Sequence, residues 1–213
     1  MSLIGASKAP KSWGASFLVY HLSEITVYFF DINQVVLIMK TIYLARHAKS
    51  SWDMSFVLNL SSDFDRPLNK RGESDAVKVG DEMKKRLWQP DVIISSPAKR
   101  AKQTCLSYCE NLDYSSNDIE WDTNFYEAYT VTLLQKLSNI DERFKSVLLM
   151  GHNPSMESLL LHLCGSTKAA KYQQDDGKLL TTANVAKLSY KGLWAEIAMG
   201  SVSLDALIRP KTI

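Results

Sequence analysis

Three short stretches constrain this chain more than anything else in it: Arg46-His47-Ala48, Ser95-Ser96-Pro97-Ala98-Lys99-Arg100 and Gly151-His152-Asn153-Pro154-Ser155. Each follows an apolar, strand-like run and precedes a turn or a helix start. Strands that end side by side in one sheet would carry two imidazoles and two guanidiniums to a single edge. That arrangement builds a pocket for a phosphate-like anion with a nucleophile inside it.

From Met39 onward strand and helix patterns alternate, which is the signature of an α/β sandwich with a largely parallel sheet. Thr41 to Ala45 reads as the first strand, Val92 to Ile94 as the second and Ile119 to Trp121 as a weaker third. Val147 to Met150 is continuously apolar, as a central strand buried on both faces is. Between them the spacing predicts a helix over Gly72 to Trp88, with Ala76, Val79, Met83 and Leu87 inward and Pro90 beyond its end. A second helix is expected from Pro97 to Leu112, with Ala98, Ala101, Cys105 and Cys109 inward, Ser96 as its cap and Pro97 as its first residue. A third spans 131–140 and carries Leu133, Leu134 and Leu137. In the fourth, Asn153 is the cap, Pro154 lies in the first turn, Met156, Leu159, Leu160 and Leu163 form the buried stripe, and Gly165 is the stop. Asn184 to Leu188, Leu193 to Ala198 and Ser203 to Ile208 read as strands completing the sheet.

Residues 1–38 differ in character and are expected to be an N-terminal extension or an added segment, with the main domain covering 39–213. One further hairpin, built from Phe17 to Tyr20 and Thr26 to Phe30, is the alternative for the first region. None of its apolar pieces, including 35–38, reaches the roughly 18 residues of a membrane helix, and no small-residue cleavage site follows an apolar core. The expectation is therefore a cytoplasmic protein with no membrane partner. The Asn59-Leu60-Ser61 sequon would go unused there. The 25 Lys and Arg residues exceed the 23 Asp and Glu by two, too few for broad nucleic-acid binding. The cluster Lys84, Lys85, Arg86 reads as a solvated helix face. Cys105, Cys109 and Cys164 are an odd number without a C-x-x-C pair, so neither a disulfide framework nor a metal site is indicated. His21 and His162 lack any partner pattern.

His47, Arg100 and His152 all map to carboxyl ends of strands, the edge where open α/β sheets bind ligands. Helix starts at Pro97 and Pro154 would turn free amides and positive dipole ends toward the same place. An arginine fork can hold two phosphate oxygens at once, and such charge-assisted bonds contribute about 1.5–3 kcal/mol each. Neighbouring positive charge also favours the neutral imidazole, the form able to attack phosphorus.

The ordered set Leu44-Ala45-Arg46-His47-Ala48-Lys49-Ser50-Ser51-Trp52, Asp65-Arg66-Pro67-Leu68, Gly72, Ser95-Ser96-Pro97 with Arg100 and Gln103-Thr104, and Gly151-His152-Asn153-Pro154 resembles the histidine phosphatase (phosphoglycerate mutase-like) superfamily. Within it the chain looks most like the short SixA-type phosphohistidine phosphatases, over about Met39 to Pro210. The resemblance implies a three-layer α/β/α sandwich around a mostly parallel sheet, and a metal-independent phosphatase without cofactors. It implies that His47 attacks the phosphoryl group and becomes a phosphohistidine, and that Arg46, Arg100 and His152 surround the phosphoryl oxygens. Arg66 would add a further positive contact, although pairing with Asp63 or Asp65 is its alternative. Glu127 is similar in position to the proton donor of larger members, provided burial raises its affinity for a proton. The implied partner is a phosphorylated protein such as a histidine phosphotransfer domain. A small phosphate ester, hydrolysed or isomerised, is the second reading, and a non-catalytic phospho-binding module is the third.

Overall fold

In the computed structural model, which describes residues 18–22, 25–29, 39–52 and 62–213, the chain divides into two units, Met1–Leu37 and Ile38–Ile213. The first holds an antiparallel hairpin of β1 (Leu18–Leu22) and β2 (Ile25–Phe29), a two-stranded sheet of its own with Leu18 opposite Phe29. The apolar run at 35–38 and the sequon at 59–61 lie outside the described residues.

The second unit is built on β3 (Met39–Arg46), β4 (Val92–Ser95), β5 (Glu120–Trp121), β6 (Ser146–Gly151), β7 (Val185–Lys191) and β8 (Ser203–Ile208). They form one sheet in the order β5-β4-β6-β3-β7-β8. β3, β6, β4 and β5 pair in parallel, while β7 is antiparallel to both β3 and β8, so β7 alone runs against the rest. Parallel pairing requires crossovers, and the helices supply them.

Period-two alternation in β3 sorts its side chains between two cores. Ile42 and Leu44 enter a cluster with Leu133 and Leu137 of α3 (Thr130–Ser138) and Met156, Leu159, Leu160 and Leu163 of α4 (Ser155–Cys164). Tyr43 and Ala45 enter the opposite cluster with Ala76, Val79 and Met83 of α1 (Lys70–Lys85) and Ala101, Cys105 and Cys109 of α2 (Lys99–Leu112). A short α5 (Ser166–Ala170) follows α4. Helices thus cover both faces of the sheet, and β6 between them is buried at every residue. Among the described residues no helix is long and apolar enough to cross a membrane.

Four local expectations are corrected. Leu87 is 87% exposed, because α1 ends at Lys85, Arg86 is its cap and Leu87 turns the chain with φ 56. The amide of Trp88 then donates to Met83 O at 2.9 Å and that of Leu87 to Lys84 O at 3.0 Å, a Schellman ending that buries Trp88 in place of Leu87. Ser96 does not cap α2 and Pro97 is not its first residue; Ala98 stands at the cap without a side-chain bond. Asn153 does not cap α4, since Pro154 stands there and the Asn153 amide is used elsewhere. Leu193 to Ala198 is not a strand: Trp194–Glu196 is a 3-10 turn whose Trp194 is fully buried, its amide donating to Glu142 Oε1 at 2.6 Å.

α1 begins directly on the loop after β3. Asn69 accepts from the Gly72 amide at 2.9 Å, as an N-cap does, and its own amide donates to Lys49 O at 3.0 Å. A Cβ on Gly72 would lie 2.0 Å from that same oxygen, so only glycine permits the approach.

Candidate active site

The backbone ladder continues past the strand ends and carries the motif residues with it. His47 N donates to Gly151 O at 3.1 Å, and Ser96 N to Met150 O at 3.0 Å. His47 and His152 therefore stand beside each other at the ends of β3 and β6, their ring centroids 4.9 Å apart and both side chains buried.

The hydrogen bonds fix the protonation of His47. Its Nδ1 lies 2.7 Å from the Ala48 carbonyl oxygen, which can only accept, so Nδ1 carries the proton. Nε2 keeps its lone pair and accepts from Arg100 Nε at 3.3 Å. Burial, followed by the charge of His152 and, more weakly, those of Arg100 and Arg46, depresses its pKa to about 2 against the opposing pull of the Ala48 carbonyl. His152 is lowered to about 3, by burial first and then by Arg100, with Asp63 pulling the other way. Its Nε2 meets Ser96 Oγ at 2.9 Å, and its Nδ1 is buried without a hydrogen-bond partner among the described residues.

These two depressions make a stability prediction. An imidazole whose folded pKa lies below its ordinary 6.5 stays neutral when folded and takes a proton when unfolded. Its contribution is complete above pH 6.5 and is lost as pH falls toward the folded value. At about 1.36 kcal/mol per pH unit, each histidine costs up to about 2 kcal/mol between pH 6.5 and 5. Urea denaturation at pH 7 and pH 5 should show His152→Gln losing about 1–2 kcal/mol less than wild type over that interval. An equal loss in both proteins would contradict the neutral buried ring.

The three arginines divide into one that stands apart and a pair that shares a counter-ion. Arg46, at the end of β3, donates from a terminal nitrogen to Leu180 O at 3.0 Å, and its Nε is buried without a partner among the described residues. Glu157 holds this neighbourhood by accepting from the Leu180 amide at 2.9 Å and from Asn153 Nδ2 at 3.1 Å. Arg66 and Arg100 instead converge on Asp63, in the 3-10 turn Asp63–Asp65. Arg66 reaches Asp63 Oδ1 from Nε at 2.9 Å and from a terminal nitrogen at 2.7 Å; Arg100 reaches Oδ2 at 2.9 Å and the Asp63 carbonyl at 2.6 Å. Tyr126 donates its hydroxyl to the same Oδ2 at 3.1 Å, and its ring stands edge-on to His152.

Asp63, Arg100, Tyr126 and His152 of this cluster line a cavity of about 450 Å³, together with Glu127 and Asn153. Glu127 is exposed and takes φ 52. The burial on which its expectation as a proton donor rested is therefore missing. Arg46, His47, Arg100 and His152 come together as expected; Arg66 reaches the same cluster through Asp63. Sequence reasoning missed Tyr126, Ser96 as a partner of His152, and Asp63 as the shared counter-ion of two arginines. Only Asp63 left a signal, as a carboxylate three residues before Arg66.

The model of the histidine phosphatase superfamily (branch 1) matches residues 42–159. An uncharacterized chloroplastic protein of Arabidopsis thaliana is 30% identical over 187 residues, which cover 81% of this chain and 79% of that one. The uncharacterized phosphatase PhoE of Bacillus subtilis is 26% identical over 60% of this chain and 79% of its own. Among solved structures, a candidate phosphohistidine phosphatase SixA of Agrobacterium tumefaciens shares 29% identity at a TM-score of 0.66, covering 80% of this chain and 98% of its own. The protein histidine phosphatase SixA complexed with tungstate has the same fold at 20% identity and a TM-score of 0.65, over 81% of this chain and 98% of its own.

Proposed function

The chain belongs to the histidine phosphatase superfamily and is a metal-independent phosphatase; we propose that it removes phosphoryl groups from histidine side chains of a partner protein, through a phosphohistidine formed on His47. The observation that carries the reading is the lone pair of His47 Nε2, left unprotonated by the Nδ1 contact with the Ala48 carbonyl and met by Arg100 Nε, on a ring whose centroid lies 4.9 Å from that of a second neutral imidazole.

In the first step Nε2 attacks phosphorus in line with the departing group, which takes the bonding electron pair with it. Arg46, through its idle Nε, and His152, through Nδ1, donate to phosphoryl oxygens, and Arg66 and Arg100 add their forks as charge builds on those oxygens. Water then attacks the phosphorus of phosphohistidine 47, giving its proton to the solution as Nε2 leaves with its electron pair. Arg100 Nε must first release the lone pair it now caps.

Three observations favour phosphohistidine over a small ester. Asp63 is ion-paired and Glu127 is exposed, so neither is a buried carboxylic acid able to drive off a poor alkoxide; an imidazole needs less help. Glu127 is the carboxyl we assign to pass a proton where one is needed. At the site, Tyr129 and Trp52 are 79% and 67% exposed, and Trp52 lies 3.9 Å over the Arg66 guanidinium, aromatic surface of the sort protein partners use. The Agrobacterium neighbour named above is itself described as a candidate phosphohistidine phosphatase. All three cysteines are free and buried, which suits a reducing compartment such as the cytoplasm.

Kinetics on a phosphorylated histidine phosphotransfer domain, set beside a panel of sugar and glycolytic phosphates, test the reading. The expected result is a kcat/KM at least about 100-fold higher for the phosphoprotein, equivalent to about 2.7 kcal/mol of transition-state preference. A reversed order would make the protein a small-molecule phosphomonoesterase or mutase. Binding of phosphoprotein without turnover or phosphoenzyme would make it a recognition module.

A further inference from the structure

The Asp63 carboxylate presents its two oxygens to two different guanidiniums, Oδ1 to Arg66 and Oδ2 to Arg100, in the way two oxygens of a phosphoryl group would be held. The four anion-binding groups of the cluster are not equivalent as a result. Arg46 Nε and His152 Nδ1 are buried without partners among the described residues, whereas Arg66 and Arg100 are engaged. Resting on the phosphatase reading above, we infer that Asp63 is a positioning residue that acts as an internal rival of phosphate, holding Arg66 and Arg100 in the empty pocket and yielding them to an incoming phosphoryl group.

Burial alone would raise the proton affinity of Asp63, but the Arg100 charge, the Arg66 bond and the Tyr126 hydroxyl outweigh it and hold the carboxyl below its ordinary range. The rival thus stays charged at neutral pH. It is also the least enclosed of the three partners: its side chain is 48% exposed and sits in a one-turn 3-10 segment, while those of Arg66 and Arg100 are 10% and 6% exposed. Displacement costs the three charge-assisted contacts to Arg66 and Arg100, and the same cost falls on substrate and on the product phosphate. Asp63 therefore weakens both equally, which speeds release of the product at the expense of affinity. Meanwhile the two buried arginines never lack a counter-charge.

Calorimetric titration of inorganic phosphate into wild type, Asp63→Asn and Tyr126→Phe tests this. Asparagine keeps the shape but loses the charge, so phosphate should bind about tenfold or more tightly, with KM and the inhibition constant for phosphate falling together. Tyr126→Phe, which removes one hydrogen bond from the same carboxylate, should shift binding in the same direction by a smaller factor. If Asp63 merely scaffolds the arginines, both variants bind phosphate equally or more weakly than wild type. That result overturns the inference and leaves the phosphatase reading standing. No phosphate binding by any of the three proteins overturns the phosphate pocket, and the inference with it.

Discussion

His47→Ala is expected to leave no acid-labile phosphoenzyme and to lower turnover by at least about 10,000-fold. The expectation follows from the geometry of one nitrogen. Nδ1 is committed to the Ala48 carbonyl, so Nε2 is the ring atom with electrons to give, and it is aimed at the arginines that would hold the phosphoryl oxygens. His152 cannot substitute for it easily, because its Nε2 is engaged by Ser96 Oγ. Loss of a buried ring leaves a cavity, so the variant should be compared at neutral pH with its folding verified by circular dichroism. Rapid quench with radiolabelled phosphoprotein measures the trapped species directly. A variant that still traps one equivalent would move the nucleophile to another side chain.

The second large effect belongs to Arg100. Its Nε donates to the nucleophile and its terminal nitrogens donate to Asp63, so three of its five N–H groups are already placed in the pocket. If two of its bonds pass to phosphoryl oxygens in the transition state, at about 1.5–3 kcal/mol each, Arg100→Ala costs about 3–6 kcal/mol. That corresponds to a fall in kcat/KM of about 150- to 25,000-fold. Arg100→Lys should recover little, since an ammonium ion reaches one oxygen where the planar fork reaches two. Retention of more than a tenth of wild-type kcat/KM by either variant would remove Arg100 from the reaction.

Much of this was legible in the sequence because strand ends are. Apolar runs such as Val147 to Met150 announce β6, and whatever follows them must emerge at the ligand-binding edge. The failures share a cause: tertiary demand outbid a local preference. Ser96 and Asn153 are both good caps, yet the structure spends Ser96 Oγ on His152, and Asn153 Nδ2 on Glu157 and on Leu180 O. Leu87 fits the apolar stripe of α1 by count, but the helix stops two residues before it. Leu193 to Ala198 has a strand's composition, and burial of Trp194 against Lys40 and the Phe144 carbonyl coils it instead. Asp63 was legible only as a partner of Arg66, because its place in the site depends on Arg100, 37 positions away.

β4, β6 and β3 are immediate neighbours in the sheet. Adjacent strands sit about 4.8 Å apart, and the imidazoles at the ends of two of them are 4.9 Å apart. Main-chain pairing thus acts as the ruler for the reacting pair, and no loop has to measure that gap. Descendants of such a chain can rewrite the rim, and with it the molecules admitted, while the distance between the two rings is inherited unchanged.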